Sequence, residues 1–216
     1  MIQEKQGLIE TRSIDMIPDH ERHGTPFSQF TLWFGANMQI TAIVDGALAV
    51  IFGADALWAC IGLFVGNIFG GAVMALHSAQ GPRLGLPQMI SSRAQFGVYG
   101  AILPLILAVI MYLGFATTGA ILSGQAINGI IGVETPAVGI VIFGALTALL
   151  ALLGYKYIHV MGRIATVAGI LGFTYLMFVA FAKFPVASLF GVKPFEWTTF
   201  LLAVSLSAGW QLTYGP

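Results

Sequence analysis

The feature that most constrains the fold of this chain is its series of long apolar segments with very little charge. Six can be drawn, at about 27–52, 56–79, 98–127, 136–155, 161–182 and 197–216. A helix needs about 20 apolar residues to cross a bilayer. None of the segments alternates in the two-residue pattern of barrel strands, and only helices and closed barrels satisfy their backbone in lipid. The sequence therefore predicts an all-α, polytopic membrane protein with the bilayer as its surroundings.

The remaining composition agrees with this fold class. Only 8% of the 216 residues are charged, against about 25% in soluble domains. The formal net charge is zero, so nothing indicates a nucleic-acid partner. Residues 1–26 are polar and lack the apolar core of a signal peptide. We expect a polar tail at 1–26 and a membrane domain at 27–216.

The charged residues also predict an orientation. With the amino terminus inside, seven of the nine basic residues fall in inner segments and only Lys183 and Lys193 in outer ones. Positive charge accumulates on the cytoplasmic side, so we predict a cytoplasmic amino terminus in the plasma (inner) membrane. Asp55 and Glu134 then fall in outer loops, where water solvates them easily.

The sequence lacks the usual signatures of catalysis. There is no phosphate-binding loop with a following lysine, no paired-cysteine or His-Glu-x-x-His metal pattern and no Gly-x-Ser-x-Gly elbow. We expect neither enzymatic activity nor a cofactor. The last segment ends at Gly215-Pro216 without a polar exit loop, so we expect that the chain stops in or just after its sixth helix. Oligomeric state is left open.

The first segment is interrupted near its middle by Gly35-Ala-Asn37-Met38-Gln39. Amides at the bilayer centre are costly unless they face protein or water. Transporters break helices there so that free carbonyls bind a cation and amides bind a polar solute. The alternative is an interhelical hydrogen bond by Asn37 or Gln39. Both interpretations stand at this point.

Asp45 lies six residues beyond Gln39 on the same segment. A carboxylate inside the membrane is a candidate functional group, and here the candidate function is proton coupling. The alternatives are a residue in a water-filled outer vestibule, or a partner for a polar group elsewhere.

Two other segments carry aromatic and polar side chains away from their ends. Segment three has Tyr112, and segment six has Trp210 followed by Gln211. Two rings facing one cavity form a flat slot for a planar ligand. In segment two, Gly62, Gly66 and Gly70 are spaced four apart, which predicts close helix packing. We assign Asn67 of that segment to packing as well.

The chain resembles the nucleobase:cation symporter-1 family, most closely its purine–cytosine permease branch. The resemblance rests on Leu32-Trp-Phe-Gly-Ala-Asn37, on Gly81-Pro-Arg-Leu-Gly-Leu-Pro-Gln88 with Ser92-Arg93 and Phe96-Gly97, and on Ala208-Gly-Trp210. It implies about twelve helices, built as two five-helix repeats of opposite topology in a leucine-transporter-type fold. Helices one and six are broken in that fold. This chain would hold the first repeat and the helix that opens the second.

The resemblance also implies roles for individual residues. Carbonyls at Gly35 and Met38 would bind a cation if the coupling ion is sodium. Gln39 would contact the edge of the substrate, and Tyr112 and Trp210 would stack on its ring. The branch that transports hydantoins has a glutamine at the position of Ala116, and a tryptophan at that of Tyr112. Both differences argue against a hydantoin cargo.

The leading hypothesis is uptake of cytosine or a purine, coupled to protons or sodium by alternating access. The candidate substrate residues are Asn37, Gln39, Tyr112, Trp210 and Gln211. One alternative is a transporter of the same fold with another cargo, such as allantoin, hydantoin, a thiamine precursor or an amino acid. Another is a channel or receptor-like protein without coupled transport, although no filter motif or charged pore ring is visible.

Overall fold

The computed structural model describes residues 14–22, 24–188 and 190–214, so part of the predicted tail at 1–26 (residues 1–13 and 23) lies outside the described residues. The described chain is helical, with a short 3₁₀ turn at Val186–Ser188. The helices are α1 (Pro26–Asn37), α2 (Ile40–Ile51), α3 (Ala56–Ser78), α4 (Gln80–Leu84), α5 (Gln88–Ser91), α6 (Arg93–Gly100), α7 (Ile102–Ile131), α8 (Pro136–Leu153), α9 (Tyr155–Lys183) and α10 (Trp197–Leu212).

Four of the helical stretches are long and apolar enough to cross a membrane, and the pair α1 and α2 makes a fifth if it counts as one bent span. The predicted all-α polytopic class is confirmed. The sixth predicted segment is also helical, but α10 has only 16 residues, so it falls short of a full span within the described chain.

Two helices, α7 and α9, start at other residues than the apolar segments predicted, and a glycine of positive φ lies close before each start. Gly97, with φ of 71°, kinks the short α6 from within, and the long helix α7 starts only at Ile102 rather than near residue 98. Gly154, with φ of 80°, ends α8, and α9 starts at once at Tyr155. The predicted start near 161 was late because residues 155–160 include polar side chains that still continue the helix.

The described residues divide into two compact units. The first draws on Met1–Ile40 and Gly85–Ile170, and the second on Thr41–Leu84 and Leu171–Pro216. Each is described on its own below.

In the first unit, α7 and α8 pack as an antiparallel pair around two glycines. A Cβ on Gly124 would lie 2.7 Å from Ile140 Cγ1, and a Cβ on Gly139 would overlap the Gly124 carbonyl. The buried Asn128 closes the turn: its Nδ2 donates to Thr135 O at 3.1 Å, and its Oδ1 accepts from Gly139 N at 2.9 Å. One amide on α7 thus hydrogen-bonds two backbone groups at the start of α8.

In the second unit, α3 packs along α10 through the predicted glycine face. A Cβ on Gly62 would lie 2.8 Å from Ala203 Cβ, one on Gly66 would overlap Ser207 and Val204, and one on Gly70 would lie 2.7 Å from Ala208 O. Ser207 adds a hydrogen bond from its hydroxyl to Leu63 O at 2.7 Å. The glycines therefore allow close approach of two helix backbones, as their spacing predicted.

One outer-loop prediction was wrong. Asp55 is only 4% exposed and accepts four backbone N–H groups, from Leu57 at its own helix and from Gly191, Val192 and Lys193. These donors hold the pKa of the carboxyl down at about 2, with the amides of Lys193 and Gly191 contributing most. Asp55 is thus a helix cap that also fastens the loop before α10.

Candidate functional site

The first candidate site residues lie at the break between α1 and α2. Helix α1 starts with Thr25 and Ser28 in a reciprocal capping box and Pro26 at its first position. It ends where Met38 takes ψ of 62°, and helix geometry resumes only at Ile40. The interruption predicted from sequence is therefore present, at Met38 and Gln39.

The polar groups at this break are arranged as follows. The carbonyl of Gly35 accepts from Met38 N at 3.1 Å, and a carbonyl oxygen has a second lone pair to offer. Asn37 donates from Nδ2 to Trp33 O of its own helix at 2.8 Å. Gln39 is half-buried between the two helices. Gly35, Asn37, Met38 and Gln39 therefore all lie at the break or in the helical turn before it.

Helix α1 is held against the first part of α9 by small residues. A Cβ on Gly35 would overlap the carbonyl of Gly162, and a Cβ on Gly169 would lie 2.6 Å from Met38 Cγ. Between them, Thr166 donates its hydroxyl to Thr31 O at 2.7 Å. The amino-terminal side of the break therefore packs closely on α9, over glycines and through the Thr166 hydrogen bond.

Tyr112 lies in the middle of α7, in the same unit as the break, and is 49% exposed. The two threonines that follow it, Thr117 and Thr118, donate their hydroxyls to carbonyls of their own helix. Tyr112 is thus the one residue on this stretch of α7 that combines an aromatic ring with a hydroxyl group.

Trp210 and Gln211 lie near the end of α10, in the second unit. The Trp210 ring stands edge-on to Tyr214, with centroids 6.0 Å apart. Gln211 donates from Nε2 to Asn67 Oδ1 of α3 at 2.7 Å. Asp45 belongs to the same unit and is half-buried on α2. The packing prediction for Asn67 is confirmed, because its amide hydrogen-bonds across to α10, and its partner there is the candidate substrate residue Gln211.

Sequence reasoning also missed the role of Asp55. An aspartate directly before an apolar run is a recognised helix-start signal, and that signal was present. The three further donors come from residues 136 to 138 positions away, and nothing in the local sequence predicts them.

These observations define a multi-pass helical membrane protein whose first span is interrupted at Met38 and Gln39, next to two side-chain amides. Comparison with known proteins then identifies its family. Residues 16–212 match the family described as permeases for cytosine/purines, uracil, thiamine and allantoin. The chain belongs to this family.

Named relatives agree with that assignment. A Bacillus subtilis protein named "Putative purine-cytosine permease YxlA" is 39% identical over 208 residues, covering 96% of this chain and 45% of its own length. The purine-cytosine permease fcyB of Emericella nidulans is 28% identical over 70% of this chain and 30% of its own length. The purine-cytosine permease FCY22 of Saccharomyces cerevisiae is 31% identical over 69% of this chain and 29% of its own length. The chain thus spans less than half the length of these relatives. No solved structure gives a significant match.

Proposed function

We propose that this chain serves in secondary active import of a nucleobase, cytosine or a purine, across the plasma (inner) membrane. The observation that carries the proposal is the break at Met38–Gln39, which interrupts an apolar span of a permease-family chain next to the half-buried amides of Asn37 and Gln39. An interrupted span is the usual way in which transporters create a polar site within lipid. The relatives named as purine-cytosine permeases supply the cargo class.

In this mechanism Asn37 and Gln39 are the candidates to hydrogen-bond the edge of the base. Tyr112 of the first unit and Trp210 of the second are each candidates to stack on its ring. Stacking between a base and an aromatic side chain is worth about 1–3 kcal/mol. Gln211, next to Trp210, adds a further polar contact. Transport proceeds by alternating access, with the second broken helix of a five-plus-five repeat at helix six. The amino terminus is cytoplasmic, and the chemistry is translocation, not catalysis.

Two coupling schemes use different residues. In sodium coupling, the carbonyls of Gly35 and Met38 contribute to the cation site. In proton coupling, Asp45 is the group that binds and releases the proton. Uptake in choline medium with and without a protonophore separates them: loss of uptake without sodium assigns the ion to the break, and sodium-independent uptake abolished by the protonophore assigns it to a carboxyl.

The test of the cargo is uptake of radiolabelled cytosine by cells that express the full-length protein, with adenine, hypoxanthine, uracil, allantoin and hydantoin as competitors. We expect saturable accumulation that a nucleobase blocks. Trp210→Ala should raise KM at least about fivefold, because the stacking energy of about 1–3 kcal/mol is lost.

The matched control is Trp197→Ala on the same helix. Trp197 is 67% exposed and contacts Phe195 and Phe200 near the helix start, so it should change KM little. If allantoin or another heterocycle competes instead of the bases, the same-fold alternative is correct. If the solute equilibrates without accumulating, the channel alternative is correct.

A further inference from the structure

The strongest unassigned feature is a pair of amide side chains on neighbouring helices of the second unit. Asn67 is the twelfth of the 23 residues of α3, and therefore lies at the middle of the longest apolar stretch of this unit. Its side chain is exposed in the described chain. An amide at that depth must face protein or water rather than lipid.

The hydrogen bonds determine which way each amide is turned. Asn67 Nδ2 donates to Leu63 O of its own helix at 2.9 Å. The Asn67 oxygen is therefore the atom that faces α10, and only a donor can pair with it. Gln211 meets this requirement with Nε2, at 2.7 Å.

The orientation of Gln211 follows from this pairing. With Nε2 committed to Asn67, the carbonyl oxygen Oε1 is the end of the amide that points out of the pair. Among the described residues, none donates a hydrogen bond to that oxygen. Gln211 thus carries a fixed acceptor on a half-buried side chain, next to the candidate stacking residue Trp210.

The helix packing keeps this geometry in place. A Cβ on Gly70 would lie 2.8 Å from Gln211 Cβ, so the stem of Gln211 crosses α3 directly over a glycine. One turn away on α10, Ser207 donates to Leu63 O. The same carbonyl accepts from Asn67 Nδ2. Close backbone contact therefore leaves the Gln211 stem little room to reorient.

We propose that Asn67 is a positioning residue of the substrate site: it orients the Gln211 amide so that Oε1 accepts a hydrogen bond from a ring N–H or amino group of the cargo. This rests on the proposed function and adds a selectivity rule to it. Heterocycles with a donor at that edge are taken up, and analogues in which the donor is methylated are rejected. A site built around a hydrogen bond discriminates strongly against ligands that lack it.

The experiment measures KM in full-length transporter for cytosine and for analogues methylated at one nitrogen at a time. In wild type, we expect one methylated analogue to be disfavoured at least about tenfold. In Asn67→Leu and in Gln211→Leu, the ratio of the KM for that methylated analogue to the KM for cytosine should fall towards one. The double variant should be no worse than either single variant, since two residues that act as one unit are not additive.

Two further variants separate positioning from packing. Ser207→Ala removes the hydrogen bond that Ser207 shares with Asn67 at Leu63 O, leaves both side-chain amides and their mutual hydrogen bond in place, and should keep the wild-type preference. Asn67→Asp in its protonated form keeps an oxygen that accepts from Gln211 Nε2 and a hydroxyl that can donate to Leu63 O, so it should keep most of the wild-type preference.

Each outcome decides one question. No nucleobase uptake by wild type overturns the proposed function, and this proposal with it. Normal uptake in which Asn67→Leu behaves like Ser207→Ala leaves the function standing and overturns the positioning role. Additive effects of Asn67→Leu and Gln211→Leu also overturn it.

Discussion

At the residue scale, Asp55 shows how one carboxylate can organise chain segments far apart in sequence. It caps α3 through Leu57 N at 2.9 Å and receives Val192 N at 2.8 Å and Lys193 N at 3.0 Å. Lys193 also donates from Nζ to Gly53 O at 3.1 Å, so the loop contacts both sides of the α2–α3 turn. The charged form of the carboxyl is the one that these donors favour.

The pH dependence follows from the direction of the shift. The pKa of Asp55 is about 2 in the folded chain, below the value of about 3.9 for an unperturbed aspartate. A depressed pKa means that stabilisation is complete above the unfolded value and is lost as pH falls through the folded one. Asp55 should therefore stabilise the protein at neutral pH and stop doing so between about pH 4 and pH 2.

We predict that Asp55→Asn lowers the melting temperature of the purified full-length protein at pH 7. The difference from wild type should shrink as the pH falls from about 4 to about 2, because the wild-type carboxyl becomes protonated. Thermal unfolding in detergent measures both. Glu134→Gln, at an exposed position in the α7–α8 turn, is the control and should match wild type. Equal stability of Asp55→Asn at pH 7 would refute the role of the cap.

At the element scale, two helix pairs use glycine in the same way. Gly62, Gly66 and Gly70 allow α10 to lie on α3, and Gly35 and Gly162 allow α1 to lie on α9. In lipid, helices associate by packing and hydrogen bonding, since the bilayer is as apolar as the side chains. Close approach is therefore the main source of specificity in both contacts.

The α3–α10 contact gives a quantitative prediction. Gly66→Ala places a methyl group against Ser207 and the Val204 carbonyl, and overpacking of this kind costs about 1–3 kcal/mol. This exceeds the gain of up to about 1 kcal/mol from replacing a helical glycine by alanine. We expect a lower melting temperature and reduced yield of folded protein.

Gly71→Ala is the matched control on the same helix. No described atom lies within 4 Å of a Cβ placed there, so only the helix-propensity gain applies and stability should be unchanged or higher. If both variants unfold alike, the destabilisation is not specific to the α3–α10 contact.

At the scale of the whole molecule, the distribution of charge makes the orientation testable. Glu134 lies between α7 and α8, and Lys156 lies near the start of α9. If the amino terminus is cytoplasmic, these positions fall on opposite sides of the membrane.

We predict that a cysteine at Glu134 reacts with a membrane-impermeant maleimide in intact cells, whereas a cysteine at Lys156 reacts only after permeabilisation. The variants Glu134→Cys and Lys156→Cys are made in a full-length background without native cysteines, with Cys60→Ala in this chain. The background protein alone is the labelling control. The reverse pattern would place the amino terminus outside.

Much of the fold was predictable because it depends on local sequence. Apolar length located all six helical segments, and the amide-rich stretch around Gly35 and Gln39 located the break in the first. Helix ends and kinks were less predictable, since Gly154 ends α8 and Gly97 kinks α6 through backbone conformation rather than hydropathy. The candidate site residues were named from the sequence and from the family resemblance, and their roles stay predictions.

What the sequence by itself determined is therefore the membrane class, the helices and the interrupted span, all of which follow from residues near one another in the chain. Only the tertiary structure decided that Asp55 fastens a loop 136 residues away and that Asn67 pairs with Gln211 over 144 residues. Hydrogen bonds of this kind depend on which faces two helices present to each other. That choice is made by packing, through glycines whose neighbours the linear sequence does not specify.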